Sequence, residues 1–598
     1  MDNRGGVGRG GAGLGIEMKE PGAAAGSVTS KSPAAPAEAV PAAKVKPNKN
    51  KEILPDWAPI LATNPDLWAR SLAGLAGGPR VLLATAIGGH PQFTVVESAL
   101  AVALTLRGAT ADVLICDGVL PACQRAKVVA PVPVDLVDYK ITERVCPGCV
   151  ARAQRVFNAP GLNVLKFSDF LKPEDKAFAK EVARILPLDQ IDSYVYDGLP
   201  IGEHAKAGAL RYYGIGDLSL EPEGELVLRR YLEASLLTAF ATNRALKRGG
   251  YDYVVTNHGI YVPHGIINAV ARKRGVKTAA WNTAYRRQCA IFSAGDTYHH
   301  TLMEEPTSTW ENMTWSEAHE AQIMSYLVSR RRGSRDWIWF NRDGDEDVDR
   351  YAAEVGIDWN KPVIGMLTNV IWDAQLHYPA NAFPSMLDWI HRTIAWFAER
   401  PDLQLLIRIH PGELAPPGGV TKSRQPAVEE IRQAFPELPR NVFVIPPENP
   451  LSTYEAMDRC DSVIIYGTKT GVELTSFGTP VIVAGEAWIR NKGITRDAET
   501  AEDYFRILET LPVGSRLDEA TTRRARKYAY HFFFRRMVPL PFLEYIPDTW
   551  PPFKLAIDKL DDLLPGRCAG LDVLCDGILK GAPFVYEAER LGLHDRDG

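Results

Sequence analysis

Long apolar runs and an excess of charge of one sign are both missing from this chain of 598 residues. No stretch approaches the roughly 18–20 consecutive apolar residues that a membrane-spanning helix needs. The opening MDNRGGVGRGGAGLG lacks the apolar core of a secretory signal. Basic and acidic residues number 68 and 73, so no global field favours nucleic acid, and none is expected as a partner. Eight cysteines are too few for a disulfide scaffold at this length, which points to a reducing cytoplasm. No GxGxxG follows the strand-like runs of the first half, which argues against a dinucleotide dehydrogenase. What is present, 46% hydrophobic and 24% charged residues, is the balance of a globular protein able to bury large cores.

Residues 1–51 are rich in Gly, Ala, Pro, Ser and Lys without regular apolar spacing, and read as a disordered tail. From Arg80 the grammar changes. RVLLATAI (80–87), the turn Gly88-Gly89-His90-Pro91, an apolar-periodic stretch to Gly108 and DVLIC (112–116) read as strand, turn, helix and strand. DYVVT (252–256) and VKTAAWN (276–282) repeat the pattern. After a polar stretch at 341–350 it restarts. VIGMLTNV (363–370), QLLIRIHP (404–411), NVFVIPP (441–447), SVIIYG (462–467) and PVIVAG (480–485) read as strands, and 380–399 as a long amphipathic helix. The fold class is therefore α/β, with two doubly wound, Rossmann-like lobes at 52–340 and 355–515 and a mixed segment at 516–598. Such sheets bind ligands at the C-terminal ends of their strands, so candidate residues are sought there.

The sharpest candidate is the turn Gly467-Thr468-Lys469-Thr470-Gly471 between a strand and a short helix. A helix start, two hydroxyls and an ammonium suit a phosphate of a bound nucleotide. Thr470-x-x-Glu473 also reads as a capping box, leaving Glu473 between a cap and a contact to ribose. In IRIHPGE (407–413), His410 ends a strand and Pro411 bars a helix, so the imidazole could donate to a phosphate, with Arg408 on the same face. LTNVIWDAQ (367–375) places Asn369, Asp373 and Gln375 on a loop after a strand, and Asp373 could face an acceptor hydroxyl. In the first lobe His90, His258 and His264 lie on glycine-bearing loops and are candidates for a general base.

Cys116, Cys123, Cys146 and Cys149 form a C-x6-C and C-x2-C set, read as a structural zinc site, as ordinary free thiols, or as a redox or iron–sulfur site. The aromatic and basic run YAYHFFFRRMVPLPF (528–542) reads as a helix and loop packed across the lobes, or as an element at a membrane surface.

Over 363–540, the succession NVIWDAQ, IRIHPGE, NVFVIPPENPLSTYEAM, YGTKTGVELTSFGTPVIVAGEAW and NKGIT resembles the capsule polysaccharide biosynthesis protein family. That family includes the Kdo-transferring glycosyltransferases of capsule assembly. The resemblance implies a GT-B-like fold with the C-terminal segment crossing back onto the first lobe. It implies transfer of a sugar from a nucleotide-sugar donor, such as CMP-Kdo or a similar CMP-sugar, to a capsule or surface polysaccharide or glycolipid acceptor. No cofactor would be required for catalysis. In the family and the similar bacterial sialyltransferases, the histidine of a His-Pro pair and a Ser/Thr-rich turn hold the donor phosphate. Here those are His410-Pro411 and Thr468 with Thr470, and Gly-Thr-Lys-Thr stands where the sialyltransferases show a serine pair. Such an enzyme would work in the cytoplasm or at the inner face of the membrane. Similar in shape are UDP-sugar 2-epimerases and polyol-phosphate transferases, and a glycan-assembly protein without catalysis is the non-enzymatic alternative.

Overall fold

Short runs of β-branched and apolar residues become the strands of two sheets. In the first half these are β1 (Arg80–Ala86), β2 (Thr110–Ile115), β3 (Val164–Lys166), β4 (Tyr253–Asn257), β5 (Lys277–Thr283) and β6 (Cys289–Ala294). In the second they are β7 (Val363–Leu367), β8 (Gln404–Arg408), β9 (Val442–Ile445), β10 (Ser462–Ile465), β11 (Val481–Val483) and β12 (Arg496–Asp497). A further strand of the first sheet, β13 (Met537–Pro539), comes from the C-terminal segment. The computed structural model describes residues 53–593 except 130–131, 333–334, 338–343, 375, 377–378, 415–421, 547–548 and 550. The expected tail and Gln375 lie outside the described residues.

The first sheet runs β13-β6-β5-β4-β1-β2-β3, and β3, β2, β1, β4 and β5 are mutually parallel. The second runs β12-β11-β10-β7-β8-β9 and is parallel throughout. Both are mixed helix-and-sheet layers of the doubly wound type. Central strands such as β4, β7 and β8 are buried along their whole length, as strands covered on both faces must be. The helix Pro91–Leu106 joining β1 to β2 is buried nearly all round, which accounts for its weak apolar periodicity. The helix read over 380–399 begins only at Met386, where the Ser385 hydroxyl accepts from the Asp388 N–H at 3.1 Å.

The C-terminal segment touches both lobes. Its helix Glu519–Tyr530 lies on the second, with Arg526 Nε donating to the Ser476 carbonyl at 3.0 Å. The chain then enters the first sheet, where β13 pairs antiparallel with β6 through Met537↔Ile291. The membrane-surface reading of this segment is overturned: Phe532, Phe533 and Phe534 are buried. Arg535 donates to the Thr309 carbonyl and Arg536 to the Phe584 carbonyl, so neither guanidinium is offered to a headgroup. No helix of the described residues is long and apolar enough to cross a membrane.

Candidate active site

In each sheet the strand order reverses beside the first strand of the lobe, between β1 and β4 and between β7 and β10. A crevice opens at such a point, because the loops leaving the two strands turn to opposite faces of the sheet. The loops concerned carry His90 after β1, His258 after β4, Asn369 and Asp373 after β7, and Gly467–Thr470 after β10. Four of the regions picked from sequence therefore lie at the two switch points.

Asp373 joins the lobes. Its Oδ1 accepts from the Tyr261 hydroxyl at 2.6 Å and from Arg211 at 2.7 Å, and the Ala374 N–H donates to the Tyr261 oxygen at 2.7 Å. Arg211, from helix Ile201–Tyr213, stacks over the Tyr261 ring at 4.4 Å and lies 5.8 Å from that of Trp372. Half of the Asp373 side chain stays open. Its setting would raise the carboxyl pKa, but the Arg211 guanidinium, the Tyr261 hydroxyl and the neighbouring histidines outweigh this and pull it below the usual value. Two residues flanking this contact hold left-handed backbone that only glycine adopts freely, His258 at φ 57 and Ala374 at φ 53.

The candidate histidines separate by environment. His258 packs against Tyr261 and His299 with its Nδ1 unpartnered, and burial followed by His299 keeps its ring neutral. His90 precedes the helix Pro91–Leu106 and stacks on Phe93 at 4.1 Å; burial, then Arg125, holds its pKa near 3. His264 is fully buried, with Nε2 at 3.0 Å from the Thr85 carbonyl and its ring edge-on to Phe93, so it packs the first lobe and has no opening to the cleft. The same burial pushes its pKa to about 4.

On the second lobe, the His410 N–H donates to the Thr368 hydroxyl at 3.0 Å, and the ring Nδ1 accepts from the Gly412 N–H at 2.9 Å. That bond sets the tautomer with the proton on Nε2. Burial, then Lys469, holds the ring neutral with a pKa of about 4, and Asp373 is near enough to pull the other way. His410, Lys469 and Asp373 thus share one region. In the turn, the Gly467 N–H donates to Asn369 Oδ1 at 3.2 Å, the Thr470 N–H donates to the Thr468 hydroxyl at 3.4 Å, and the Thr468 and Thr470 hydroxyls stand 3.2 Å apart. Gly471 is buried in the short helix.

Three readings of the donor side change. Arg408 is turned away: it bonds the Pro446 and Asn449 carbonyls and the Thr453 hydroxyl, and is 3% exposed. The capping box does not form, because Lys469 is the residue before the helix Thr470–Ser476 and no side chain caps it. Glu473 is instead buried, accepting from Lys469 at 2.9 Å and from the Tyr454 hydroxyl at 2.7 Å, with Arg330 at 3.3 Å, and touches no open space where a ribose could sit.

Residues 347–512 match the family described as Capsule polysaccharide biosynthesis protein. The match covers most of the second lobe and less than a third of the chain. The resemblance noted as far as 540 extends past the match, which stops at 512. No curated protein matches the sequence. Solved structures similar to this chain include the beta Kdo 2,4 transferase KpsC of Thermosulfurimonas dismutans, 15% identical over 46% of this chain and 79% of its own, with a TM-score of 0.30. A UDP-GlcNAc 2-epimerase of Neisseria meningitidis is 11% identical over 75% of this chain and 98% of its own, with a TM-score of 0.24. TM-scores this low carry no weight, and the fold rests on the strand order above.

Around the second lobe, the first lobe contributes residues that sequence reasoning missed. Arg211 lies in the last turn of its helix with no local signal. His299 and Tyr298, in a helix after β6, form an aromatic wall with Trp488. Tyr285 lies under the Lys469 ammonium at 4.9 Å. The adjacent pair His299-His300 was the only trace of this wall in the sequence. The four cysteines lie at the far side of the His90 loop, all unpaired, and among the described residues no three His, Cys, Asp or Glu side chains close around a single metal ion.

Proposed function

We propose that this chain is a glycosyltransferase of capsule or surface-polysaccharide assembly, moving a sugar from a nucleotide-sugar donor, with CMP-sugars the favoured class, to a glycan hydroxyl. One observation carries the reading: a carboxylate of the second lobe, half open to the cleft, is held by Tyr261 and Arg211 of the other lobe beside His410 and Lys469. Asp373 takes the proton of the acceptor hydroxyl as that oxygen attacks the anomeric carbon. The bond from that carbon to the phosphate oxygen breaks, and the nucleotide leaves with the electron pair. His410 Nε2–H, the Lys469 ammonium and the Thr468 and Thr470 hydroxyls take up the charge on the leaving phosphate. The wall of His299, Tyr298 and Trp488 packs the sugar or acceptor, and the two lobes fix the approach of the reacting atoms.

A thermal-shift panel of CMP-, UDP- and GDP-sugars, followed by transfer of labelled sugar to a capsule oligosaccharide, tests this. A CMP-sugar should raise the melting temperature, and His410→Ala should raise the donor KM by about tenfold or more, the loss of a charge-assisted hydrogen bond. Conversion of the sugar nucleotide with no acceptor present would make the chain an epimerase. No shift and no transfer with any donor would leave a non-catalytic assembly protein.

A further inference from the structure

Four thiols meet at the C-terminal ends of β1 and β2, away from Asp373. Cys116 directly follows β2, and its N–H donates to the carbonyl of Ala86, the last residue of β1, at 2.7 Å. Strand β1 leads into Gly88-Gly89, and the Gly89 N–H donates to Cys149 Sγ at 2.8 Å. A Cβ on Gly89 would stand 2.9 Å from that sulfur, so only glycine lets the loop approach it. Cys146 and Cys149 occupy the first turn of the helix Cys146–Asn158. The Cβ of Cys146 rests against Gly118, two residues beyond Cys116, at 3.1 Å from where a Cβ would be. Cys123 completes the group, in a loop pinned by the Tyr231 hydroxyl on its carbonyl and by the Gln124 N–H on the Val262 carbonyl.

The sulfurs of Cys116, Cys123, Cys146 and Cys149 lie close enough to feel one another's charge. Four thiolates cannot coexist in such a place without a cationic group between them. Opposing the repulsion are the Gly118 and Leu120 N–H groups at Cys116, the Arg125 N–H at Cys123, the guanidinium groups of Arg125 and Arg152 near Cys149, and the positive end of the helix begun at Cys146. N–H donors and positive charge around cysteine sulfurs are what tune iron–sulfur centres.

One zinc at about 2.3 Å from each sulfur requires sulfurs less than about 4 Å apart. A polynuclear cluster is bound at its corners and spaces its cysteines more widely. We propose that Cys116, Cys123, Cys146 and Cys149 ligate an iron–sulfur cluster that clasps the β1 loop, the β2 loop and the helix Cys146–Asn158 together. It fastens Gly89, next to His90, and so holds one wall of the cleft in place.

The full chain, expressed with added iron and purified without oxygen, provides the test. It should be brown, with a broad visible absorption that dithionite bleaches. Iron and acid-labile sulfide should be equal, about four of each per chain for a [4Fe–4S] centre. The double change Cys146→Ser and Cys149→Ser should lower bound iron about tenfold or more, while Cys568→Ser, elsewhere in the fold, should leave it unchanged. The wild-type content alone can overturn the proposal, whether or not the serine variant folds. One zinc per chain without sulfide would do so, and so would metal-free protein with all its thiols open to alkylation. Iron retained in a folded double variant would place the cluster elsewhere.

Discussion

Asp373 is pulled in two directions. Its recessed position favours the protonated acid, whereas Arg211 at 2.7 Å favours the carboxylate and prevails. A group whose pKa is depressed stays ionised as pH falls, until the depressed value is reached. In Arg211→Met the desolvation is no longer opposed by the guanidinium, so the carboxyl pKa rises. The acid limb of the kcat/KM profile should then move to higher pH by about one unit or more. An unmoved limb would show that Asp373 is not the titrating group. Asp373→Asn should keep donor binding and lose about 100-fold or more in kcat, the usual scale for a general base, measured by single-turnover transfer. Asp373 stood out in the sequence because a carboxylate on a loop after a strand has little packing to do. Arg211 was not: it lies in the sequence IGEHAKAGALRYY as one more charge on a helix, and its partners stand 50 and 162 residues away. Arg408 misled for the opposite reason, since its period-two partner His410 suggested a shared face while nearby carbonyls captured the guanidinium.

At the scale of elements, strands buried on both faces announced themselves as continuous apolar runs, which is why β1, β4, β7, β8 and β10 were found with their starts within a residue and their ends within three. Of the three-residue strands, β11 was found from its run PVIVAG, whereas β3 and β13, too short to show a period and without such a run, were not. β13 also ends in Pro539, tolerated because it pairs at a sheet edge. The helix Pro91–Leu106 hides a second surprise, Glu97, fully buried, with Trp281 Nε1 donating to its Oε1 at 2.8 Å. Burial raises its pKa to about 7. A carboxyl whose folded pKa exceeds its unfolded value adds stability below the unfolded value of 4.5, and this is lost as pH rises through 7. The full loss is about 3 kcal/mol on the scale of about 1.4 per pKa unit. Glu97→Gln should therefore flatten the fall in melting temperature between about pH 5 and about pH 8. Some slope should remain from Glu413, also buried and also raised to about 7. A slope equal to that of the wild type would mean that Glu97 is solvated or already ionised.

Across the whole molecule, the donor turn is tied to the rest of the chain by charge as well as by packing. Arg330, near the end of the helix Glu317–Arg331, pairs with Asp336 and reaches Glu473 at 3.3 Å, and all three side chains are almost fully buried. Tyr326 donates to Asp336 and Tyr454 to Glu473, each at 2.7 Å, while Lys469 completes the set at 2.9 Å from Glu473. Burial alone would raise the Glu473 pKa, but Arg330 first and Lys469 next drive it to about 2. Arg330→Met keeps most of the apolar stem and removes the charge, stranding two buried carboxylates with one cation between them. Breaking such a pair from one side costs about 3–5 kcal/mol, to be read from urea denaturation. Lys469 would then be held by an anion shared with no other cation and drawn closer to it, so the donor KM should rise while kcat changes less. Adding Asp336→Asn removes one stranded charge and should recover part of the stability. If Arg330→Met costs less than about 1 kcal/mol, water must reach the group, and the buried network is not what holds Lys469 toward the cleft.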